Sequence, residues 1–282
     1  MGIQIGDVNR LTVNRKTDIG YMLDSSDGEI FLHNNESNYE QLKPGDPVDA
    51  FLYFDQKGRL AATLKTPLAT VSRPGFLTVS DVNPSLGVFL YMGIAKDVLL
   101  SKDILPTSFE KWPQKGDKLY AIIRVKSKLI AKIVPTDEIQ LKPAKQLLIK
   151  DKVIAYIQRI GREGLNLLTL DGHNIFVHYS MVKDESIRLG EEKEVKITYI
   201  SEKGVTGSLI EQKEVSMYDD ANRILTHLIR YGDLNLTSDS SPEDIYQIFQ
   251  MSKKAFKRAI GHLYKERKID FIDEKTVLVK QK

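Results

Sequence analysis

Three short segments of the chain each place two ring-bearing side chains two residues apart. They are Phe31-Leu-His33, Phe89-Leu-Tyr91 and Phe176-Val-His178. Residues two apart in a β-strand point to the same face, so each pair would present its rings side by side. Exposed rings stack on the bases of single-stranded nucleic acids, and they tolerate most sequences because every base has a π-face. The spacing therefore predicts three candidate base-stacking sites.

Cations that could contact phosphates lie in two kinds of place. Arg15, Lys16, Arg159 and Arg162 fall where we expect equivalent loops between a first and a second strand. Near the C-terminus, residues 251–268 hold seven Lys and Arg against Glu266 alone, a net charge of +6 in a chain whose total is +3. We expect five of these to form the basic exposed face of a helix: Lys253, Lys254, Lys257, Arg258 and Lys265. Such a face would add affinity that falls steeply with salt.

Each of these residues also has an ordinary structural explanation. Phenylalanines on strands often pack in a core or against a neighbouring domain, and strand histidines are often half-buried with satisfied nitrogens. Charges in loops and on helix faces are commonly solvated surface. Both explanations stay open for every candidate.

Signatures of catalysis are missing from the sequence. The five histidines, at positions 33, 173, 178, 227 and 262, form no His-x-x-x-His pair, and there is no cysteine. The chain has no phosphate-binding Gly-x-x-x-x-Gly-Lys-Ser/Thr loop and no Gly-x-Ser-x-Gly elbow. We therefore expect a protein that is not an enzyme and needs no cofactor or metal. The hypothesis of a nuclease centre, formed by acidic residues that converge from distant strands, stays open.

Composition fits a globular protein of the cell interior. Of 282 residues, 41% are hydrophobic and 28% are charged, enough for packed cores under a polar surface. The lack of cysteine suits a reducing compartment, and no apolar run approaches the roughly 18 residues that a membrane helix needs. We expect a cytoplasmic protein without a membrane partner. Its oligomeric state is not predicted.

An ordered set of features recurs at intervals of about 70 residues, the mark of a repeat architecture. Each repeat has a glycine-led strand, a short apolar strand ending in His or Ser, a Gly-acidic turn into an alternating strand, and a last strand. The glycine-led strands begin at Gly20, Gly87 and Gly164; the next strands end at His33, Ser101 and His178; the turns begin at Gly45, Gly116 and Gly190. Five short strands in about 65 residues predict a Greek-key barrel of the OB type, which binds oligonucleotides on its middle strands.

After about residue 215 the apolar period changes from two to 3.6. A first helix is predicted from Asp219, a second after the cap Ser241 with Pro242 at its first position, and a third after Ser252. The third should turn Tyr264, with four apolar residues, toward a core. A hairpin follows over residues 268–279. Three helices and a two-stranded wing predict a winged helix, whose last helix usually contacts nucleic acid.

The predicted fold is mainly β with a C-terminal α+β domain: three tandem barrels of the OB type followed by a winged helix. Prolines and small polar residues between the repeats place the boundaries near 67, 143 and 214. The predicted domains are thus 1–66, 67–142, 143–213 and 214–282.

This arrangement resembles S1-type RNA-binding modules and, with the winged helix, the conserved virulence factor B family of Gram-positive bacteria. In an S1-type module, the resemblance implies, RNA faces two aromatics flanking the second-strand glycine and a histidine on the third strand. His33 and His178 match the histidine, where the second repeat has Ser101, and Phe89 matches the aromatic after the glycine. At its equivalents stand Met22 and Asn166, and before the glycines stand Ile19, Leu86 and Glu163.

The resemblance implies a protein that binds single-stranded RNA and regulates gene expression, virulence factors included, after transcription. Stacking would give little sequence preference, with uridine-rich tracts as candidate targets. Two other hypotheses stay open. One is a transcriptional regulator whose winged helix reads duplex DNA, and the other is an RNA-processing or ribosome-associated factor.

Overall fold

A computed structural model describes residues 2–38, 40–55, 57–143, 145–182, 186–202, 204–210 and 212–279, without the side chains of 212–216. The chain forms two compact units, Met1–Leu209 and Ile210–Lys282. The first is built of β-strands and the second mainly of helices. The predicted fold class, three OB-type barrels and a winged helix, is confirmed. The predicted domain boundaries stay predictions.

Three five-stranded barrels follow one another in the first unit. Barrel 1 contains β1 (Val8–Thr17), β2 (Gly20–Ser25), β3 (Gly28–His33), β4 (Pro47–Phe54) and β5 (Leu60–Thr63). Barrel 2 contains β6 (Gly75–Asn83), β7 (Gly87–Tyr91), β8 (Val98–Ser101), β9 (Lys118–Val125) and β10 (Leu129–Ile133). Barrel 3 contains β11 (Lys152–Ile160), β12 (Gly164–Leu168), β13 (Asn174–His178), β14 (Glu192–Ser201) and β15 (Gly204–Ser208).

Each barrel closes with its strands in the order first, second, third, fifth, fourth. The third and fifth strands pair in parallel, and the other neighbours are antiparallel. Alternating apolar residues fill each interior, such as Leu23 and Leu32 in barrel 1, Leu90 and Leu100 in barrel 2, and Val177 in barrel 3, all fully buried. The opposite face of each strand is therefore left to the surface or to a neighbouring barrel.

A glycine begins the second strand of every barrel because no side chain fits there. Gly20, Gly87 and Gly164 lie opposite His33, Ser101 and His178 on the third strand. A Cβ at each glycine would lie far inside van der Waals contact with a third-strand carbonyl oxygen, that of Leu32, Leu100 or Val177. The glycine that marks each repeat in the sequence thus permits the closest approach of these two strands.

Main-chain hydrogen bonds join neighbouring barrels. Val71 donates to the carbonyl of Gly6 at 2.9 Å between barrels 1 and 2. Lys118 donates to the carbonyl of Gly190 at 2.9 Å between barrels 2 and 3. The buried side chain of Gln158 accepts from the amide of Tyr120 at 2.7 Å. The three barrels therefore share buried polar contacts as well as apolar packing.

The second unit is a winged helix. It contains α1 (Gln212–Tyr231), β16 (Asp233–Leu234), α2 (Pro242–Phe249), α3 (Lys253–Lys265), β17 (Ile269–Ile272) and β18 (Lys275–Leu278), with sheet order β16-β18-β17. The predicted caps are confirmed, since Ser241 accepts from the Asp244 amide and Ser252 from the Ala255 amide. The wing turns at Asp273 and Glu274, both with φ near +50° to +60°, as a two-residue hairpin requires.

Two details of this unit correct the sequence predictions. The first helix begins at Gln212 rather than at Asp219, because the residues between are compatible with a helix and the acidic pair falls in its middle. Tyr264 was expected in the core, but its side chain is 52% exposed and its ring lies 5.4 Å from that of Phe271 on the wing. No helix among the described residues is long and apolar enough to cross a bilayer.

Candidate nucleic-acid interface

One residue from each strand forms an outward-facing line around each barrel, which we call the outer row. In barrel 3 it runs Arg159, Asn166, Phe176, Thr206, Tyr199, each register partner or neighbour of the next. In barrel 1 it runs Arg15, Met22, Phe31, Ala61, Tyr53. In barrel 2 it runs Asp81, Phe89, Leu99, Ile130, Arg124. The three rows occupy equivalent positions, so their chemistry can be compared directly.

Barrels 1 and 3 share a row that barrel 2 does not have. Both begin with an arginine, carry phenylalanine on the third strand and end with tyrosine on the fourth strand. Barrel 2 begins with Asp81, carries its phenylalanine on the second strand and ends with Arg124. The structure places Phe89 on the second strand at the position of Met22 and Asn166, as the sequence comparison indicated, and therefore one strand away from the position of Phe31 and Phe176.

A β-bulge in the first strand aims the charged end of each row outward. The register shifts between Val13 and Arg15 in barrel 1 and between Ile157 and Arg159 in barrel 3. It shifts at the same place, before Asp81, in barrel 2. Under strict alternation, each of the three charged residues would point into its barrel, as the apolar residue two positions before it does. The extra residue of the bulge turns them to solvent instead.

The candidate loop cations are therefore placed differently from the prediction. Arg15 and Lys16 lie on β1 and Arg159 on β11, so the expectation that they occupy loops is wrong for these three residues. Only Arg162 lies in the turn between β11 and β12. The cause is the shortness of the connection: the first and second strands stay paired up to Thr17 with Gly20 in barrel 1 and Ile160 with Leu165 in barrel 3. All four side chains are exposed.

Arg15 and Arg159 differ in their ion-pair partners. The Arg15 guanidinium donates to both carboxylate oxygens of Glu29, at 3.1 and 2.9 Å, and these hydrogen bonds lower the pKa of Glu29. Within the described part of the chain, Arg159 forms no ion pair. Arg159 is thus the more available of the two for a phosphate.

His33 and His178 have the same structural task. Each accepts a hydrogen bond at Nδ1 from the amide two residues later, that of Asn35 at 3.1 Å and that of Ser180 at 3.2 Å, and so caps a short helical turn. Ser101 caps the equivalent turn of barrel 2 with its hydroxyl. A neutral imidazole that accepts at Nδ1 carries its proton on Nε2, which leaves that N–H as an outward donor. Serine can cap, but it offers no ring for stacking.

Aromatic neighbours surround these histidines. The rings of Phe31 and His33 lie 6.1 Å apart, edge to face. Phe176 is half-buried and His178 is exposed on the same face of β13. In barrel 2, Phe89 is half-buried and Tyr91, on the same face, is 47% exposed. Partly exposed rings of this kind are available to stack on bases.

Sequence reasoning missed the two tyrosines that complete the rows. Alternation with Val195 and Ile197 predicts that Tyr199 points inward, but a bulge between Ile197 and Tyr199 turns it out, and it is 59% exposed. Tyr53 lies beside Ala61, which in turn pairs with Phe31 through a parallel pairing that no local pattern reveals. Burial, with added repulsion from Glu36 and Asp55, raises the pKa of Tyr53 to about 12. Its phenol is therefore neutral at physiological pH.

The third helix of the winged helix presents a narrower basic face than predicted. Lys254, Lys257 and Lys265 are exposed. Lys253 is half-buried and donates to the carbonyl of Asp239 at 3.2 Å. Arg258 is also half-buried and lies 3.8 Å from Asp220, whose side chain is 13% exposed. The prediction that Lys253 and Arg258 form part of an exposed face is corrected: Lys253 contacts the loop before α2, and Arg258 contacts α1.

Beyond these rings and cations, the described residues offer few groups for other kinds of site. No group of three His, Asp or Glu side chains among the described residues is arranged to hold a metal ion. The structure thus brings together rings and cations on barrel surfaces and on one helix.

Comparison with known proteins agrees with this architecture. Three domain-family models match: an S1 domain over residues 5–65, a CvfB first S1-like domain over 75–129, and a CvfB-like winged helix domain over 222–278. A crystal structure of a multidomain protein with nucleic acid binding domains from Streptococcus pneumoniae superimposes with a TM-score of 0.64, at 28% identity over 98% of both chains. The fold and its surfaces define a protein made of nucleic-acid-binding domains rather than of catalytic ones.

Two relatives identify the family. An uncharacterized Bacillus subtilis protein, YitL, is 37% identical over 92% of this chain and 88% of its own. Conserved virulence factor B of Staphylococcus aureus is 32% identical over 98% of this chain and 95% of its own. The chain belongs to the conserved virulence factor B family, as the resemblance in the sequence indicated.

Proposed function

We propose that this protein binds single-stranded RNA with little sequence preference and regulates gene expression after transcription. Uridine-rich tracts are the first candidates for its target. It acts in the cytoplasm as a binding protein, without a catalytic step. The observation that carries the proposal is the outer row shared by barrels 1 and 3, which combines a cation, a phenylalanine, a histidine beside it and a tyrosine on one curved surface.

The row suits a flexible strand better than a duplex. Rings from the third and fourth strands can stack only on bases that are not already stacked and paired. The arginine at the other end of the row would neutralise a phosphate of the same strand. In barrel 3 the row ends in an exposed Tyr199 and begins with Arg159, so we expect barrel 3 to bind more tightly than barrel 1, whose Arg15 is held by Glu29.

Several weak sites on one chain bind more tightly together than apart. Binding at one barrel raises the effective concentration of the same RNA at the others, which can increase the overall affinity by about 10²- to 10⁴-fold without new contacts. The winged helix adds Lys254, Lys257 and Lys265 as further phosphate contacts. Phe89 and Tyr91 of barrel 2 would add a smaller share, because Asp81 repels phosphate at the head of that row.

Binding competition tests the proposal. A labelled oligo-uridine of about 40 nucleotides is long enough to occupy more than one barrel, at about 4 to 16 nucleotides per barrel. Unlabelled oligo-uridine should displace it at lower concentration than a mixed-sequence DNA duplex does, at the same salt. Tighter binding of the duplex would contradict the proposal.

The basic α3 favours one second candidate, a transcriptional regulator whose winged helix reads duplex DNA. Under that hypothesis, duplex affinity depends on Lys254, Lys257 and Lys265 and is indifferent to Phe176 and Tyr199. A third candidate, an RNA-processing or ribosome-associated factor, predicts cleavage of labelled RNA with magnesium or manganese, or co-sedimentation with ribosomes. We expect neither.

A further inference from the structure

The predicted domain that contains barrel 2 has the most positive net charge of the four predicted domains, yet the outer row of barrel 2 begins with an acid. Residues 67–142 contain eleven Lys and Arg against seven Asp and Glu, a net charge of +4, whereas residues 1–66 have seven against ten, a net charge of −3. The positive charge of barrel 2 must therefore lie away from Asp81.

Much of the positive charge of barrel 2 lies on the β9–β10 hairpin. Residues 124–132 contain Arg124, Lys126, Lys128 and Lys132 and no acidic residue. All four are exposed. Arg124 pairs with Ile130 and Lys132 with Ile122 across the two strands, so the two cations are diagonal neighbours on the outer face. Lys126 and Lys128 form the turn at its tip.

A groove continues this surface. It has a volume of about 530 Å³ and is lined by Arg73, Arg124 and Lys132, with Glu138 as the one acid among its lining residues. Arg73 donates to the carbonyl of Pro67 at 2.9 Å and Arg124 to that of Val71 at 3.4 Å. Main-chain carbonyls hold both guanidiniums without neutralising them. Their remaining N–H groups are therefore positioned in advance for an anion.

The equivalent hairpin of barrel 1 contains one acid beside two cations, Asp55 with Lys57 and Arg59, a net charge of only +1. Asp55 accepts from the main-chain amide of Arg59 at 2.9 Å, pairs with the Arg59 guanidinium at 2.7 Å and accepts from the amide of Lys57, and these interactions lower the pKa of Asp55. In barrel 2, burial first and repulsion from Lys128 second lower the pKa of Lys96, against the attraction of Asp55. Among the described residues, no carboxylate forms an ion pair with the four hairpin cations, and such a concentration of positive charge is what an anion-binding surface needs.

We propose that Arg73, Arg124, Lys126, Lys128 and Lys132 form a phosphate surface that binds the sugar–phosphate backbone of RNA without stacking on its bases. The proposal rests on the proposed function and assigns the middle barrel a different mode from barrels 1 and 3. Barrels 1 and 3 would hold most of the stacked bases, and this surface of the middle barrel would hold the strand by charge.

An oligomer of abasic sites separates the two modes, because it keeps the phosphates and lacks the bases. The full chain carrying Arg124→Gln, Lys126→Gln, Lys128→Gln and Lys132→Gln should bind this oligomer more weakly than the parent does. If at least two of the four cations contact phosphates, the slope of log affinity against log salt should fall by at least about 1.4, at about 0.7 for each phosphate that is no longer neutralised.

The matched control removes the same charge from the same barrel at exposed positions elsewhere: Lys102→Gln, Lys111→Gln, Lys115→Gln and Lys142→Gln. It should leave the slope within error of the parent. An equal weakening in both variants would mean that only net charge matters, and unchanged binding by the hairpin variant would mean that the surface is solvated; either result overturns the proposal. The double variant Lys126→Gln, Lys128→Gln changes only the turn and guards against misfolding, with half the effect expected.

Failure of this inference is distinguishable from failure of the proposed function. If Phe176→Ala with Tyr199→Ala leaves oligo-uridine binding unchanged, stacking by barrel 3 is wrong, whatever the hairpin does. Those two substitutions should not affect the abasic oligomer. The hairpin substitutions should weaken both ligands.

Discussion

Arg188 of barrel 3 donates two hydrogen bonds, of 2.8 and 3.1 Å, to the two carboxylate oxygens of Asp117 in barrel 2. The Asp117 side chain is 8% exposed and also accepts from the amide of Gln114. This bidentate pair lies beside the main-chain bond from Lys118 to Gly190. Barrels 2 and 3 are thus held by directional contacts, which fix the outer row of one relative to that of the other.

Replacing Arg188 with Met should destabilise the barrel unit, because Asp117 would stay buried without its charged partner. The expected decrease is about 3 to 5 kcal/mol in the free energy of unfolding. Denaturant unfolding followed by circular dichroism measures it. Arg10→Met breaks the pair with Asp49, in which both side chains are 62% exposed, and should cost about 1 kcal/mol or less. Equal decreases in the two variants would contradict a buried bridge.

Replacing both Phe176 and Tyr199 with Ala should weaken oligo-uridine binding. If each ring stacks on one base at about 1 kcal/mol or more, the dissociation constant should rise at least about 30-fold. Fluorescence anisotropy with a labelled oligomer measures it, with thermal unfolding as the check on folding. Phe109→Ala removes a ring that is 54% exposed and outside the rows, and should leave the affinity unchanged. Weaker binding in the Phe109 variant alone would reverse the assignment.

Local sequence signals predicted where several strands and helices begin. Gly20, Gly87 and Gly164 begin the second strand of each barrel, and the caps Ser241 and Ser252 begin α2 and α3 as predicted. These signals are local, since a close strand approach needs glycine and a helix start needs a side-chain acceptor. They define the repeats and the winged helix.

The membership of the outer rows could not be predicted from local sequence signals. Arg15, Arg159 and Tyr199 all follow a bulge that reverses the inward and outward positions, and alternation cannot show where an extra residue is inserted. Tyr53 comes near Phe31 only through the parallel pairing that closes the barrel. Non-local pairing and bulges therefore decide which of the predicted rings and cations share a surface.

Alanine at Gly164 should destabilise the barrel unit, whereas alanine at Gly261 should stabilise the winged helix. At Gly164 the new Cβ would overlap the Val177 carbonyl, and forcing apart two paired strands should cost at least about 2 kcal/mol. Nothing lies within 4 Å of the Cβ position at Gly261 inside α3, so alanine gains about 1 kcal/mol of helix propensity. Differential scanning calorimetry of both variants measures the opposite shifts. A neutral Gly164→Ala would mean that the two strands can separate freely.

Tyr53 should make the barrel unit lose stability in strong alkali. Its pKa is raised from 10.0 to about 12 in the folded protein, so the unfolded chain ionises this tyrosine first as the pH rises. The contribution of the neutral phenol is present below pH 10 and disappears between pH 10 and about 12. Unfolding free energies should fall less steeply across this range in Tyr53→Phe than in the parent. Identical pH profiles would mean that Tyr53 titrates as in the unfolded chain.

Replacing Lys254, Lys257 and Lys265 with Gln should weaken RNA binding and flatten its salt dependence. The three side chains are exposed on α3, and Lys257 lies 3.9 Å from the highly exposed carboxylate of Asp239; Lys253 instead donates to the Asp239 carbonyl, and Arg258 lies beside the buried Asp220. If all three contact phosphates of a single strand, the log–log salt slope should fall by about 2. The control Lys102→Gln, Lys111→Gln and Lys115→Gln removes the same charge from barrel 2 and should keep the parental slope. Arg258→Gln should lower the thermal stability of the winged helix more than it changes the slope, because its neighbour Asp220 is buried. A slope unchanged in the α3 variant would mean that its lysines are solvated and that the barrels alone bind RNA.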